Sequence, residues 1–300
     1  MIEPTVKSSL TPKARTVGRY VLKLLETNKG GKVHSVFRHA VNILTDEEKL
    51  LVLLEFEEAP WNITLGTMDF IQSGIQPGSR VVMSKEEVAI DSRLFVSLRG
   101  AKIWSDSNNN SRSSPDTIER SIFQVISVLR TAKMWGGLGS LLVENRSLGP
   151  GTIDFAEYAR PRIDALLEAV ICGRPDRVEE CASRLAGLGI GSTPSCDDFL
   201  VGFMLALRSF ASTSNKEYAD RVCRAILAGS RNNTTIISQN LIEYSCLGMA
   251  SRTMSEFLHS FADCDKSLTA KTLDVMRHGA TSGEDTLVGI IEGAATSQVL

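Results

Sequence analysis

The spacing of apolar residues along the first third of the chain is typical of β-structure. From residue 32 to about residue 105, apolar side chains occur in short runs that are separated by turn residues. These runs cover residues 33–37, 50–56, 62–65, 80–83, 88–90, 94–98 and 102–104. They predict a small sandwich or barrel, which follows an amphipathic helix near residues 17–25.

The apolar spacing becomes helical after a polar stretch at residues 105–115, which lacks apolar periodicity and is the predicted linker. Beyond it, Ile118, Ile122, Val125 and Leu129 fall on one face of a helix. Further helices are predicted at residues 155–172, 176–185, 194–210, 216–228, 235–246, 253–261, 268–276 and 283–297. The predicted fold class is therefore α+β, with a small N-terminal β-sandwich or barrel-like domain at residues 1–112 and a mainly α-helical domain at residues 113–300.

Composition excludes several classes of partner. The 33 basic and 35 acidic residues are interspersed and give a net charge of -2, so the chain has no electrostatic footprint for nucleic acid or for an anionic membrane. No apolar run has the length of a signal segment or of a membrane span, which predicts a cytoplasmic protein. All 6 cysteines lie in the second half, without a Cys-x-x-Cys pair, and we expect reduced and largely buried thiols.

A glycine-rich segment precedes the helix predicted at residues 194–210. Alternating glycines let the backbone turn its N–H groups toward a bound anion, and the start of a helix adds unpaired donors and a positive dipole end. We expect this loop to bind a phosphate or a carboxylate. The candidate substrate-binding residues are Gly187, Gly189, Gly191, Ser192, Thr193 and Ser195.

The acidic start of this helix recurs later in the chain without gaps. The first copy reads SCDDFLVG from Ser195, and the second copy reads SGEDTLVG from Ser282. Two copies within one helical domain indicate either an old duplication or two helix starts that meet around one site.

Helix capping is the simplest explanation of the repeated motif. A serine at the N-cap with an acidic residue three positions later resembles a capping box, which contributes about 1 kcal/mol per helix. Residue chemistry alone favours capping over metal binding, but capping does not require Asp197 and Glu284. If the helix starts converge, their carboxylates would orient a substrate amide or bind Mg²⁺. The candidate catalytic residues here are Asp197, Asp198, Glu284 and Asp285, with Asp198 and Asp285 as candidate metal ligands.

Other polar and glycine-rich positions complete the set of candidates. His278 directly precedes the second motif and is the histidine we expect to act in catalysis, next to Thr281 and Ser282 as substrate-binding residues. In a polar turn, Arg231 would bind a carboxylate or a phosphate, and Asn232 or Thr234 would hold an amide. The alternative is an ordinary helix N-cap on an exposed turn.

Two further features have simpler explanations. Cys196 is expected to be non-nucleophilic because its acidic neighbours oppose a thiolate. The glycine-rich turn at residues 135–140 is most simply a helix C-cap.

The glycine loop and the two motifs resemble a known bacterial family. The segments 189–202 and 278–285, together with 31–37, 60–63 and 235–238, are similar to the family that includes the AllH subunit of oxamate carbamoyltransferase. The likeness runs from about residue 30 to the C-terminus. The family usually has glycine where this chain has Cys196.

The resemblance implies a function but assigns no catalytic residues. It implies a subunit that acts with FdrA-like and AllG-like proteins to transfer a carbamoyl group between carbamoyl phosphate and oxamate, giving oxalurate, in purine or allantoin catabolism. Two alternatives stay open. One is a non-catalytic scaffold or ligand-sensing subunit of such a complex, and the other is a stand-alone enzyme on another small amide or ureido acid.

Overall fold

The computed structural model describes residues 10–105, 113–132, 137–142 and 155–300. The chain divides into two compact units, Met1–Ser107 and Asn108–Leu300. The first unit contains the strands and the second is helical, which confirms the predicted α+β class. The predicted domain boundary at residues 112–113 borders a segment outside the described residues, so it stays a prediction.

Within residues 10–105, the first unit is a curled sheet of nine strands around one α-helix, α1 (Arg19–Thr27). The strands are β1 (Thr16–Gly18), β2 (Gly30–Val36), β3 (Ala40–Thr45), β4 (Leu50–Leu54), β5 (Asn62–Thr64), β6 (Arg80–Met83), β7 (Glu87–Ile90), β8 (Leu94–Ser97) and β9 (Lys102–Trp104). Their order is β8-β7-β6-β2-β3-β4-β5-β1-β9. The segment before β1 returns to β8, where the Leu10 N–H donates to the Arg93 carbonyl at 2.8 Å. The sheet therefore curls as in a barrel.

Two elements of this unit differ from the sequence prediction. Strand β3 was not predicted, because it follows β2 after only a short turn and its alternation of Val41 and Ile43 is brief. The first helix begins later than expected, since Thr16 and Val17 pair with β5 and β9 before the chain turns into α1. The buried faces of the strands and Leu24 and Leu25 of α1 share one apolar core.

Helices build the described part of the second unit. They are α2 (Pro115–Ala132), α3 (Phe155–Ile171), α4 (Pro175–Leu185), α5 (Ser195–Phe210), α6 (Lys216–Ser230), α7 (Ile236–Cys246), α8 (Arg252–Asp263), α9 (Leu268–Met276) and α10 (Ser282–Val299). Their bounds lie close to the predicted ones, because the apolar periodicity of each helix is strong. Within the described ranges, no helix is long and apolar enough to span a membrane.

Helices α5 and α10 cross at very short distance in the centre of the second unit. A Cβ added to Gly202 would lie 2.1 Å from the Thr286 carbonyl oxygen, and one added to Gly289 would lie 2.1 Å from the Phe199 carbonyl oxygen. Gly202 and Gly289 occupy the same position in the two copies of the motif, as do Phe199 and Thr286. The repeated sequence therefore folds into a local, approximately two-fold arrangement whose contact requires glycine.

Candidate functional site

The two acidic helix starts meet, and each serine lies near the aspartate of the other helix. The Ser282 hydroxyl of α10 lies near the Asp198 carboxyl of α5 and lowers its pKa. The Ser195 hydroxyl of α5 lies near the Asp285 carboxyl of α10 and lowers its pKa. The serines are equivalent positions in the motif, and so are the aspartates, so the two contacts repeat the two-fold relation of the glycines.

The capping interpretation of these serines is wrong. Both helices begin at the serine itself, so the N-cap positions are Pro194 and Thr281, and neither N-cap makes a side-chain cap hydrogen bond. The serine hydroxyls are directed across the helix pair instead, because the close crossing of α5 and α10 brings the opposite carboxyl within their reach. The motif thus builds an interhelical site rather than two separate caps.

Asp198 is a buried carboxyl in an acidic environment, with 5% of its surface exposed. Burial raises the pKa of Asp198 well above its ordinary value, and the charges of Asp285 and Asp197 raise it further. Hydrogen bonds from the Ser282 and Thr193 hydroxyls oppose this rise. Its Oδ2 atom is buried and accepts no hydrogen bond from the residues that the structure describes.

Asp285 is completely buried, at 0% exposure. Burial raises its pKa to about 6, against the stabilising hydrogen bonds of the Leu138 N–H and of the Ser195 and Thr281 hydroxyls. The Leu138 N–H donates to Asp285 Oδ1 at 2.6 Å, whereas Asp285 Oδ2 has no hydrogen-bond partner in the described ranges. The turn around Gly137, which the sequence suggested only as a helix C-cap, therefore lies against the acidic pair.

Asp197 has a different environment from Asp198. Its Oδ1 atom accepts the Gly187 N–H at 2.8 Å, and its Oδ2 atom accepts the Thr234 hydroxyl. Burial raises the pKa of Asp197, which the hydrogen bonds to Thr234, Gly187 and Ser238 oppose. With both oxygens engaged, Asp197 joins the glycine loop to the start of α7. Its equivalent in α10, Glu284, is also buried.

The glycine loop is fixed at both ends and open at its tip. The Cys196 N–H donates to the Leu188 carbonyl at 3.0 Å, and the Thr235 hydroxyl donates to the Ser192 carbonyl at 2.6 Å. At the tip, Ile190 is 95% exposed. Among the described residues, the N–H groups of residues 189–193 donate no hydrogen bond. These donors are therefore free to bind an anion, as the predicted role of the loop requires. The Gly187 N–H, by contrast, is already bound to Asp197.

The polar turn between α6 and α7 reaches the loop through Thr234, which the sequence offered as a candidate to hold an amide, and through Thr235. Arg231 and Asn232 are exposed, while Thr235 accepts the Ser238 N–H at 3.1 Å as the N-cap of α7. Thr234 and Thr235 contact Asp197 and the loop, respectively. In the sequence, the signal for these contacts was the pair of hydroxyl residues just before the helix predicted at residues 235–246. Substrate binding by Arg231 and Asn232 stays a prediction.

His278 lies on an exposed turn just before α10. Its Nδ1 atom is 3.3 Å from the Asp274 carbonyl oxygen at the end of α9. The structure thus places this ring at a helix end, and its predicted catalytic role stays a prediction.

The cysteines are free and largely buried, as the sequence predicted. All six cysteines are free, and four of them are buried. Burial is the main cause that raises the pKa of Cys196 to about 12, and the nearby Asp197 and Asp285 charges add to it. A thiol with this pKa stays protonated at neutral pH, so the expectation that Cys196 is non-nucleophilic is supported.

The charge balance of the pair restricts what it can bind. No basic side chain in the described ranges contributes to the pKa of Asp198 or Asp285. Groups of three or more His, Cys, Asp or Glu residues that are arranged to hold a metal ion are also absent from the described residues. The site therefore suits an N–H donor or a cation, and Mg²⁺ binding by Asp198 and Asp285 stays a prediction.

Comparison with known protein families matches two models to the chain. A family model described as oxamate carbamoyltransferase subunit AllH matches residues 185–294, a range that holds the glycine loop and both acidic helix starts. A second model, described as the AllH family N-terminal domain, matches residues 13–103 and thus the curled sheet. No solved structure matches the chain.

Proposed function

The chain belongs to the AllH family of oxamate carbamoyltransferase subunits, and from this premise we propose that its acidic helix pair takes part directly in carbamoyl transfer. The reaction joins carbamoyl phosphate and oxamate to give oxalurate, in cytoplasmic purine or allantoin nitrogen catabolism. FdrA-like and AllG-like proteins are the proposed partner subunits. The observation that carries the proposal is the pair of buried Oδ2 atoms of Asp198 and Asp285, which have no hydrogen-bond partner among the described residues.

A carboxylate at this place fits the chemistry of the transfer. The amide nitrogen of oxamate attacks the carbamoyl carbon, so a C–N bond forms and the C–O bond to phosphate breaks. Phosphate leaves with the electron pair, and the nitrogen must lose a proton. Asp285, whose pKa burial raises to about 6, is ionised at neutral pH and is a stronger base than an ordinary carboxylate. We assign it the role of accepting this proton.

The anionic ends of the substrates belong at a different place. A carboxylate or a phosphate beside Asp198 and Asp285 would meet only negative charge from the described residues. The N–H groups of residues 189–193, at the start of α5, are suited to an anion. This division lets one substrate span the site, with its anionic end at the loop and its nitrogen at the acidic pair.

The second proposed role of the Asp198 and Asp285 carboxyls is to bind a Mg²⁺ ion. Asp198 and Asp285 would hold it through their oxygens, and it would neutralise the charge of the phosphate. Isothermal titration of Mg²⁺ into the chain decides this. Binding that is lost in both Asp198→Asn and Asp285→Asn supports the metal, and equal binding by all three proteins excludes it at this place.

A non-catalytic scaffold is the alternative function, and the full burial of Asp285 favours it, because a sealed carboxyl pair also resembles a structural feature. Reconstitution separates the two. The partner subunits are assayed for oxalurate from carbamoyl phosphate and oxamate alone, with the wild-type chain, and with Asp285→Asn. Oxalurate only with the wild-type chain supports the proposal. Full activity of the partners alone, or with Asp285→Asn, supports the scaffold.

A further inference from the structure

The turn at Gly137 and Leu138 contacts one of the two equivalent aspartates and distinguishes it from the other. The Leu138 N–H donates to Asp285 Oδ1 at 2.6 Å. The pKa of Asp198 is lowered by the nearby hydroxyls of Ser282 and Thr193, with no backbone N–H of the described residues among these groups. Two carboxyls that are equivalent in the repeated motif therefore have different partners.

Gly137 is the position that allows this contact. Its φ angle of 49° lies in the left-handed region, and a Cβ at this residue would lie 2.2 Å from Asp285 Oδ1 and 2.6 Å from Oδ2. Any side chain here would therefore push the carboxylate out of place. The turn itself has little freedom to move, because the Leu138 side chain is buried in the apolar core and Arg130 Nε donates to the Leu142 carbonyl at 3.0 Å.

We propose that Gly137 and Leu138 position Asp285 for catalysis. The Leu138 N–H holds Oδ1, and the absence of a side chain at Gly137 leaves room beside Oδ2, where it accepts an N–H of the substrate amide. Gly137 is thus a positioning residue, and Asp285 rather than Asp198 is the acceptor that touches the substrate. This inference rests on the proposed function.

The physical reason is the loss of rotational freedom. A carboxylate with one oxygen held by a backbone N–H cannot turn its second oxygen away, so the acceptor is already placed before substrate binds. A misplacement of about 1 Å at a reacting group costs roughly 100-fold in rate. The same displacement changes the binding of the anionic end of a substrate little, because that end lies at the loop.

Gly137→Ala tests the proposal, with Gly173→Ala as the matched control. Gly173 has a φ angle of 67°, and a Cβ there meets nothing within 4 Å, so the control repeats the backbone strain without the contact. In the reconstituted complex we expect Gly137→Ala to lower kcat about 100-fold with nearly unchanged KM values. Gly173→Ala should keep wild-type kcat. Equal kcat values for the two variants would overturn the proposal.

A double-mutant cycle then identifies the carboxyl through which Gly137 acts. In the Asp285→Asn background, adding Gly137→Ala should change kcat by less than about 2-fold, because the acceptor is already lost. In the Asp198→Asn background it should still cost about 100-fold. The reverse result, or full additivity in both backgrounds, contradicts positioning through Asp285.

A measurement without turnover separates this inference from the proposed function. The amide proton of Leu138 should resonate far downfield in the NMR spectrum of the wild-type chain, because its hydrogen bond to a carboxylate is short. It should stay there in Asp198→Asn and Gly173→Ala and move upfield in Gly137→Ala. An unchanged shift in Gly137→Ala refutes the positioning even if oxalurate is formed. A wild-type complex that makes no oxalurate refutes the proposed function, whatever the shift.

Discussion

The hydroxyl of Ser195, the first residue of α5, lies near the carboxyl of Asp285 in the first turn of α10 and lowers its pKa. The equivalent residues Ser282 and Asp198 have the same relation in the opposite direction. Each helix start thus completes the other. Neither carboxyl gains a basic partner from the described residues, so the arrangement buries negative charge at a cost in stability. Capping of the two helices alone does not require this loss of stability.

The close crossing of α5 and α10 leads to a prediction about stability. Gly202→Ala and Gly289→Ala should each lower the free energy of unfolding by roughly 1–3 kcal/mol, since either Cβ meets a carbonyl oxygen of the other helix. Urea denaturation measures this, with Gly173→Ala as the control for strain alone. A loss in one variant but not in the other would contradict the two-fold arrangement.

The pH dependence of stability should reveal the buried charge at Asp285. Its pKa is raised to about 6 in the folded chain from 3.8, so the folded state keeps the proton longer than the unfolded chain does. The contribution of this group is therefore fully present below its unfolded pKa and is lost as the pH rises through about 6. The loss is on the order of 3 kcal/mol.

Asp285→Asn measures this loss, because asparagine stays neutral. Relative to the wild type, we expect the variant to gain unfolding free energy between about pH 4 and about pH 8. Asp265→Asn is the control, since hydrogen bonds from Ser260 and Ser267 lower the pKa of Asp265 from 3.8, so its contribution changes only below that pH and its difference from the wild type should stay constant across this range. A constant difference between Asp285→Asn and the wild type across this range would show that Asp285 is not a buried carboxyl with a raised pKa.

The position of each serine near the opposite aspartate predicts a selective effect of serine variants on the pH profile of turnover. The Ser195 hydroxyl lowers the pKa of Asp285, so the pKa of that carboxyl should rise in Ser195→Ala. If Asp285 is the base, the rise of kcat with pH should move to higher pH in Ser195→Ala. Ser282 faces Asp198, so Ser282→Ala is the matched control and should shift the rise of kcat with pH less than Ser195→Ala does. An equal shift in both variants would not fit the assignment of the base to Asp285.

The sequence predicted the helices of the second unit and both acidic starts, because strong apolar periodicity and a gapless repeat are local signals. It did not predict that each serine hydroxyl faces the aspartate of the other helix, since the direction of a hydroxyl depends on how closely two helices cross. It offered Thr234 as a candidate to hold an amide, but it did not predict the contacts of Gly137, Thr234 or Thr235, because these contacts join segments that lie far apart in the chain. Asp197 and Asp198 are adjacent in sequence, and only the fold separates a residue that holds the loop from one that faces the other helix.

The most direct test of the central claim is the turnover of the complex reconstituted with Asp285→Asn or Asp198→Asn, measured as oxalurate formed from carbamoyl phosphate and oxamate, with melting temperatures taken in parallel. Asp274→Asn, which removes an exposed carboxylate paired with Arg277, is the control. We predict that both site variants lose at least about 100-fold in kcat while melting no lower than the wild type near neutral pH. Wild-type turnover in both site variants, or a loss of activity that only follows a loss of stability, would contradict the claim that this carboxyl pair is the site.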